Sequence, residues 1–256
     1  MPLRIFITGA SSGIGAALAR HYAAQGATLG LAARRAAPLQ ALADSLSTQV
    51  CVYALDVADS AALAAAAQDF IASQGVPDIV IANAGISAGT RCELAADIAV
   101  LSRIMQINVL GLAATLQPFV APMRERGSGA LVGIASVAGF RGLAGAGAYS
   151  ASKSAAITWL EALRLELHGS GVNVVTICPG YIATPLTAAN RHPMPFLLDA
   201  PEAARRIARA IAAKKRLAII PWQMRLVFFF LRRMPNCLYD RLFARAPRKP
   251  RAPSAR

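Results

Sequence analysis

Two side chains suited to proton transfer, Tyr149 and Lys153, lie four residues apart in a segment with helical character. On a helix this spacing places both on one face. A phenol with an ordinary pKa near ~10 is a poor acid or base at neutral pH, but an adjacent ammonium stabilises the phenolate and lowers that pKa. Tyr149 could then act as a general acid that gives a proton to a substrate oxygen. Taken alone, the same spacing also occurs on solvated amphipathic helices.

Two further polar residues accompany this pair. Ser136 follows an apolar, strand-like segment, thirteen residues before Tyr149. Taken alone, it could cap a helix. Asn108 lies in a long helical stretch, where it is either part of the site or a polar group satisfied inside the helix.

A glycine-rich turn between the first strand and the first helix predicts a binding site for a dinucleotide pyrophosphate. Glycines permit a tight turn close to the phosphates, and the free N–H groups of the helix N-terminus attract negative charge. An ordinary strand-to-helix turn capped by a serine is the alternative. The residues assigned to the cofactor in this turn are Gly9, Ser11, Ser12, Gly13, Ile14 and Gly15.

The second strand ends in Ala33 and is followed by Arg34 and Arg35. An acidic residue at this place would accept hydrogen bonds from a free ribose 2′-hydroxyl and repel a 2′-phosphate. A guanidinium instead fits a phosphate through paired hydrogen bonds. The sequence therefore favours NADP(H) over NAD(H), with Arg34 the preferred contact; the alternative is that both arginines are solvated loop charges.

Seven short apolar segments alternate with alanine-rich helical stretches, a pattern typical of a parallel sheet with crossover helices. We predict an α/β fold with a single Rossmann-like, doubly wound parallel sheet of about seven strands, helices on both faces and a C-terminal helical extension. The strands are 4–8, 28–33, 50–55, 79–82, 130–135, 172–178 and 217–220, and the helices are 13–25, 38–46, 60–73, 97–124, 149–168 and 201–213.

Motifs spread over residues 4–220 resemble those of the classical short-chain dehydrogenase/reductase family. They are the glycine-rich turn, Asn83-Ala84-Gly85, Asn108, Ser136, Tyr149 with Lys153, and Pro179-Gly180-Tyr181-Ile182-Ala183-Thr184. Each falls at the carboxyl end of a predicted strand or in the adjoining helix, where open α/β sheets bind ligands. One departure is Ala82, where the family often has a second Asn.

The resemblance implies a role for each matching residue. Tyr149 would donate the proton, Ser136 would polarise the substrate oxygen, Lys153 would also hold the nicotinamide ribose, and Asn108 would hold a water that relays protons from Lys153. The family also commonly forms dimers or tetramers through its two long helices, here 97–124 and 149–168. Further cofactor contacts implied by the resemblance are Asp56, Val57, Asn83, Ala84, Gly85, Pro179, Gly180, Ile182 and Thr184.

Charge is distributed unevenly along the chain. The formal net charge is +14, yet residues 214–256 carry twelve Lys or Arg and one acid, a net +11 that leaves +3 for the preceding 213 residues. We predict a dinucleotide-binding domain over 1–220, an apolar and basic helical extension over 221–245, and a disordered tail over 246–256. The extension predicts contact of residues 222–245 with an anionic membrane surface, or packing over the substrate cleft or a second subunit. Nucleic-acid binding is not expected, because the charges alternate with bulky aliphatic residues.

Together these features predict an NADP(H)-dependent oxidoreductase that reduces a carbonyl, or oxidises a secondary alcohol, of a small hydrophobic substrate, with a lipid-like compound as one option. Apolar residues over 184–200 would cap that substrate or simply pack onto the core. The alternatives are a catalytically weak dinucleotide-binding scaffold, a membrane-associated redox sensor, or a membrane adaptor with a vestigial enzyme. The four cysteines form no C-x-x-C pair, so no metal site is predicted. No secretory signal is recognised, and we expect a cytoplasmic protein, peripheral at the inner face of a membrane.

Overall fold

A computed structural model describes residues 2–188, 190, 193–244, 249 and 251. Its seven strands form one parallel sheet in the order β3-β2-β1-β4-β5-β6-β7. Chain order therefore reverses between β1 and β4, which creates the crevice where doubly wound sheets bind ligands. The strands are β1 Arg4–Thr8, β2 Thr28–Ala33, β3 Val50–Ala54, β4 Ile79–Ala82, β5 Gly129–Ile134, β6 Val172–Pro179 and β7 Leu217–Ile220.

Helices cover both faces of this sheet. In chain order they are α1 Gly13–Ala23, α2 Ala36–Asp44, α3 Ser60–Gln74, α4 Asp97–Met105, α5 Gly111–Arg126, α6 Gly147–Glu166, α7 Pro185–Ala188, α8 Ala200–Ala212, α9 Trp222–Arg233 and α10 Asn236–Phe243. Apolar residues of α1, α2 and α8 pack on one face, and those of α3, α5 and α6 on the other. The predicted Rossmann-like sheet with C-terminal helices is confirmed.

The side chains of β1 alternate between the two hydrophobic clusters on opposite faces of the sheet. Ile5 and Ile7 belong to one core cluster, whereas Phe6 points into the other. There Phe6 packs against Phe70 and Phe119, with ring centroids 5.7 and 5.2 Å away. The aromatic packing requires Gly30 on the neighbouring strand, because a Cβ at that position would lie 2.6 Å from the Phe6 ring.

One predicted helix has a different local structure. The stretch predicted as a helix over 97–124 is α4 and α5 joined by a π-helical turn, Gln106–Leu110. The extra residue in a π turn changes the direction of the side chains, and such turns often occur at functional sites. Asn108 lies in this turn.

By length and composition, Asp97–Arg126 could cross a bilayer. In the fold, however, Leu112, Leu116 and Phe119 from this segment are buried in the core against the sheet. The segment is therefore part of the domain's own packing.

The C-terminal extension packs beside the carboxyl ends of β5, β6 and β7. Met224 and Phe228 of α9 are buried in a cluster with Ala135 and Cys178. Of the tail predicted to be disordered, 246–256, only Lys249 and Arg251 lie within the described residues.

Candidate active site

A cavity of about 540 Å³ lies at the carboxyl edge of the sheet, at the reversal between β1 and β4. Its size falls within the range of roughly 300–1,000 Å³ that is usual for ligand and cofactor pockets. Among the residues assigned from sequence, those that line it are Gly9, Ser11, Ser12, Gly13, Ile14, Arg34, Arg35, Asp56, Val57, Asn83, Ala84, Gly85, Ser136, Tyr149, Lys153, Pro179, Gly180, Ile182 and Thr184. The structure thus brings together nearly all of the assigned positions.

Two assigned residues lie behind the cavity wall. Gly15 packs against the Gly9 carbonyl and the Asn83 amide, so its place is in the support of the turn. Asn108 is fully buried. Pro185 and Leu186, from the segment expected to cap the substrate, also line the cavity. So do Leu55, Ile86, Ile107 and Thr187, which were not assigned from sequence because they belong to no motif.

The glycine-rich turn is held against the segment after β4. Gly9 has φ +67°, and a Cβ there would lie 2.8–2.9 Å from the Ala84 backbone and the Asn83 side chain. The Asn83 amide donates to the carbonyl oxygens of Thr8 and Gly9, at 3.0 and 3.2 Å. Helix α1 then begins at Gly13, without an acidic residue in its first turn. The turn and the amides of the α1 N-terminus can therefore accept a pyrophosphate.

The two arginines after β2 differ in their contacts. The Arg35 guanidinium donates to the hydroxyls of Ser11 and Ser12, at 3.1 and 2.9 Å. The Arg34 guanidinium lies 3.9 Å from the Asp56 carboxylate and is largely exposed. Both line the cavity, and the structure links Arg35 rather than Arg34 to the glycine-rich turn.

Asp56, one of the expected cofactor contacts, already has two strong partners. It accepts a hydrogen bond of 2.7 Å from Arg103 and one of 3.0 Å from the Ala58 amide. Burial by itself would raise the pKa of Asp56, but these hydrogen bonds outweigh it and hold that pKa below its usual value. A negative charge is thus fixed in the wall of the cavity.

Ser136 and Tyr149 both line the cavity. The Ser136 hydroxyl accepts a hydrogen bond of 3.1 Å from the Ala138 amide and so caps the short 3₁₀ turn Val137–Gly139. The cap considered for Ser136 from sequence is therefore present, and its role in polarising a substrate oxygen stays a prediction.

The pKa of Tyr149 departs from the expectation. Burial raises it above the ordinary value of 10.0, and the Ser136 hydroxyl only partly opposes this increase. Lys153 is buried too, which lowers its pKa from 10.5 to about 8. Its Nζ lies 5.9 Å from the centre of the Tyr149 ring. A lowered pKa of the phenol was therefore a wrong expectation for this site, because desolvation dominates; a raised pKa keeps Tyr149 protonated and suits it to donate a proton.

The Asn108 side chain connects three segments that surround the predicted catalytic residues. Its Oδ1 accepts a hydrogen bond from the Ile86 amide at 2.8 Å, and its Nδ2 donates to the Ile86 carbonyl at 2.9 Å and to Ser152 at 3.0 Å. These bonds connect the π turn, the segment after β4 and α6. A water relay through Asn108 stays a prediction.

The extension is held beside the domain in part by Arg141, which follows the 3₁₀ turn Val137–Gly139. Its guanidinium donates to the Leu231 and Met234 carbonyl oxygens at the end of α9, at 3.2 and 3.3 Å. The same group lies 4.2 Å from the centre of the Tyr239 ring. Arg141 is therefore engaged in holding α9 and α10 beside the cleft.

Comparisons with known proteins agree with this architecture. The family model described as "short chain dehydrogenase" matches residues 4–195. An "uncharacterized oxidoreductase" of Myxococcus xanthus (strain DK1622) is 40% identical over 237 residues, which cover 91% of this chain and 93% of the relative.

Two solved structures are also similar. The 3-ketoacyl-(acyl-carrier-protein) reductase from Brucella melitensis complexed with NADH has a TM-score of 0.79 at 25% identity, over 85% of this chain and 96% of that one. The alcohol dehydrogenase from the archaeon Thermococcus sibiricus complexed with 5-hydroxy-NADP has a TM-score of 0.76 at 26% identity, over 86% of this chain and 95% of that one. The chain therefore belongs to the short-chain dehydrogenase/reductase family and is an NAD(P)-dependent oxidoreductase.

Proposed function

We propose that this oxidoreductase uses NADP(H) to reduce a ketone or aldehyde group on a small hydrophobic, lipid-like substrate, or to oxidise the corresponding secondary alcohol. The proposal rests on one observation: Ser136, Tyr149 and the buried Lys153 all line a cavity suited to a dinucleotide. Leu186 lines that cavity, and Phe196 and Leu197 nearby in the chain are exposed, which supports an apolar substrate.

A bound nicotinamide dinucleotide supplies the hydride for the carbonyl carbon. Ser136 donates a hydrogen bond to the carbonyl oxygen and so favours the negative charge that develops there. Tyr149 transfers its phenolic proton to the same oxygen, which completes the alcohol. Charged Lys153, close to the ring, stabilises the phenolate left behind.

The preference for NADP(H) rests on the two arginines after β2. No acidic residue stands at the end of this strand, where one would favour a free 2′-hydroxyl. A 2′-phosphate near Arg34 and Arg35 could take charge-assisted hydrogen bonds from both. The bonds from Arg35 to Ser11 and Ser12 support a position close to the dinucleotide.

We also propose that the extension contacts an anionic membrane surface, at the cytoplasmic face. One side of α9 packs on the domain through Met224 and Phe228. The exposed side of α9 and α10, here called the outer face, presents large exposed apolar residues among exposed arginines. Its members are Trp222, Arg225, Leu226, Phe229, Phe230, Arg232, Arg233, Leu238, Arg241 and Leu242. Apolar contact and attraction to anionic lipids would act together on this face.

A homo-oligomer formed through the two long helices is a further proposal. Ile98 and Leu110 on one helical segment and Leu165 on α6 are each more than 60% exposed, although they are large and apolar. A second copy would cover them. Sedimentation velocity at several concentrations of the full chain would measure the assembly state.

The function is tested by NADPH consumption across ketones and aldehydes of graded chain length, with NADH as the parallel cofactor. Turnover that increases with chain length and favours NADPH supports the proposal. A dinucleotide-binding scaffold or redox sensor would bind NADPH without consuming it with any of these carbonyl compounds.

A further inference from the structure

The C-terminal end of the described chain returns to the segment that follows β4. The backbone of Arg251 forms an isolated parallel bridge with Gly89. The Arg251 guanidinium donates two hydrogen bonds to the Asp97 carboxylate, at 2.6 and 3.2 Å. Asp97 is only 6% exposed and also accepts a hydrogen bond of 2.7 Å from the Arg91 amide. Such a paired, charge-assisted contact fixes the position of Arg251.

Two residues before this anchor, Lys249 lies beside the catalytic tyrosine. Its Nζ donates to the Ser87 hydroxyl at 2.8 Å and lies 5.9 Å from the centre of the Tyr149 ring. The side chain is partly buried, and this burial lowers the pKa of its ammonium. Within the described part of the chain, no carboxylate forms an ion pair with Lys249.

Lys249 and Lys153 both lie near Tyr149, but they contact different parts of the protein. Lys153 lines the dinucleotide cavity and donates to the Ile134 carbonyl. Ile86 is in the wall of that cavity, but within the described residues the wall includes neither Ser87 nor Lys249. Lys249 therefore lies near the Tyr149 ring without lining the dinucleotide cavity. A substrate that receives a proton from Tyr149 must also lie near this ring.

An ammonium can donate three hydrogen bonds, and the Ser87 hydroxyl takes one. Removing such a charge from water is unfavourable unless it gains a partner of opposite charge. A substrate that carries an anion would supply this partner when it enters beside Tyr149.

We propose that Lys249 binds a carboxylate or phosphate group carried by the substrate, with Arg251 as a positioning residue that holds Lys249 at the cleft. The proposal rests on the proposed function, because it takes the ligand beside Tyr149 to be the carbonyl substrate. It also refines that function, since the substrate class becomes an apolar carbonyl compound with an anionic group.

Binding of two unreactive ligands tests this assignment without depending on turnover. Isothermal titration calorimetry on the full chain saturated with NADPH would compare octanoate with methyl octanoate, which have the same acyl chain and differ in charge. Lys249→Met should weaken octanoate at least about tenfold, as expected for loss of a charge-assisted bond, and leave methyl octanoate within about twofold. Lys249→Arg should retain most of the affinity for octanoate.

Lys215→Met is the matched control, because Lys215 is exposed in the connection between α8 and β7. This variant should change the affinity for neither ligand. Equal weakening of both ligands by Lys249→Met would mean that Lys249 only holds the chain in place, and would overturn the proposal. So would an unchanged affinity for octanoate, or a wild-type protein that does not distinguish the two ligands.

A kinetic comparison separates this inference from the proposed function. The wild type should turn over a keto acid and its methyl ester, and Lys249→Met should raise the KM for the acid only. This result supports both the inference and the proposed function. Turnover of both compounds with no charge-dependent effect of the variant contradicts the inference and leaves the reductase intact. No turnover of any carbonyl compound contradicts the proposed function, while the calorimetry still decides the anion site.

Discussion

Lys153 donates a hydrogen bond of 2.8 Å to the carbonyl oxygen of Ile134, the last residue of β5. The bond joins α6, which carries Tyr149, to the strand that ends two residues before Ser136. The position of the buried ammonium thus depends on the same strand end that presents Ser136.

The titration of Lys153 predicts the pH dependence of reduction. Burial lowers the pKa of Lys153 to about 8, so its charge is present below that pH and lost above it. The pKa of Tyr149 is raised, so the phenol keeps its proton over the same range. The rate of carbonyl reduction should therefore fall as the pH rises through about 8. In Lys153→Arg, which keeps its charge, the residual activity should fall only at higher pH.

Initial rates at saturating cofactor from pH 6 to 10 would measure both profiles. A flat wild-type profile, or the same midpoint in Lys153→Arg, would contradict the assignment of this decline to Lys153.

The arginines after β2 predict cofactor choice. Arg34→Ala and Arg35→Ala should each raise the KM for NADPH about tenfold or more, since each would remove a charge-assisted hydrogen bond to the 2′-phosphate. The KM for NADH should change by less than about twofold. Arg20→Ala is the matched control, because Arg20 is an exposed arginine on α1. Equal losses with both cofactors would show that the arginines support the turn and do not select NADPH.

The outer face of the extension predicts binding to anionic vesicles. Full-length protein should sediment with phosphatidylcholine vesicles that contain phosphatidylglycerol, less so at high salt, and weakly with phosphatidylcholine alone. The double variant Trp222→Ser/Phe230→Asp should lose most of this binding and remain folded, because both side chains are more than 60% exposed. Leu3→Ser, at an exposed leucine elsewhere, serves as the control. Undiminished sedimentation of the double variant would exclude this face as the membrane contact.

The aromatic packing on β1 predicts a stability effect distant from the catalytic edge. Gly30→Val should lower the free energy of unfolding by about 1–3 kcal/mol, because a Cβ would lie 2.6 Å from Phe6 and 2.8 Å from Phe70. Gly142→Val is the control, since a Cβ at Gly142 would have open space around it. Urea unfolding followed by circular dichroism would give both values. A wild-type midpoint for Gly30→Val would mean that the rings can move apart without cost.

Much of this architecture follows from local patterns in the sequence. Apolar runs such as Ile79–Ala82 predict strands because burial on both faces of a parallel sheet excludes polar residues. The assigned cofactor and catalytic residues converge because the carboxyl ends of parallel strands share one edge.

Other features depend on contacts between residues that are far apart in the sequence, which a local pattern does not reveal. The π turn adds one residue to an otherwise helical periodicity, and within it Asn108 accepts a hydrogen bond from the distant Ile86 amide. The direction of the Tyr149 pKa depends on how deeply the fold buries the ring. The approach of Lys249 to Ser87 joins positions 162 residues apart, one of them in a segment that composition marks as disordered.

In the proposed reduction of a carbonyl group, Tyr149 is the proton donor. Tyr149→Phe keeps the ring and removes only the hydroxyl, and Tyr53→Phe is the matched control because the Tyr53 hydroxyl contacts Asp69 on the surface. The measurement is single-turnover NADPH oxidation with a hydrophobic ketone, together with NADPH affinity from its fluorescence. Loss of the general acid should slow oxidation by about 10²–10⁴-fold in Tyr149→Phe, with NADPH affinity nearly unchanged and Tyr53→Phe like the wild type. Oxidation by Tyr149→Phe at the wild-type rate would contradict the account.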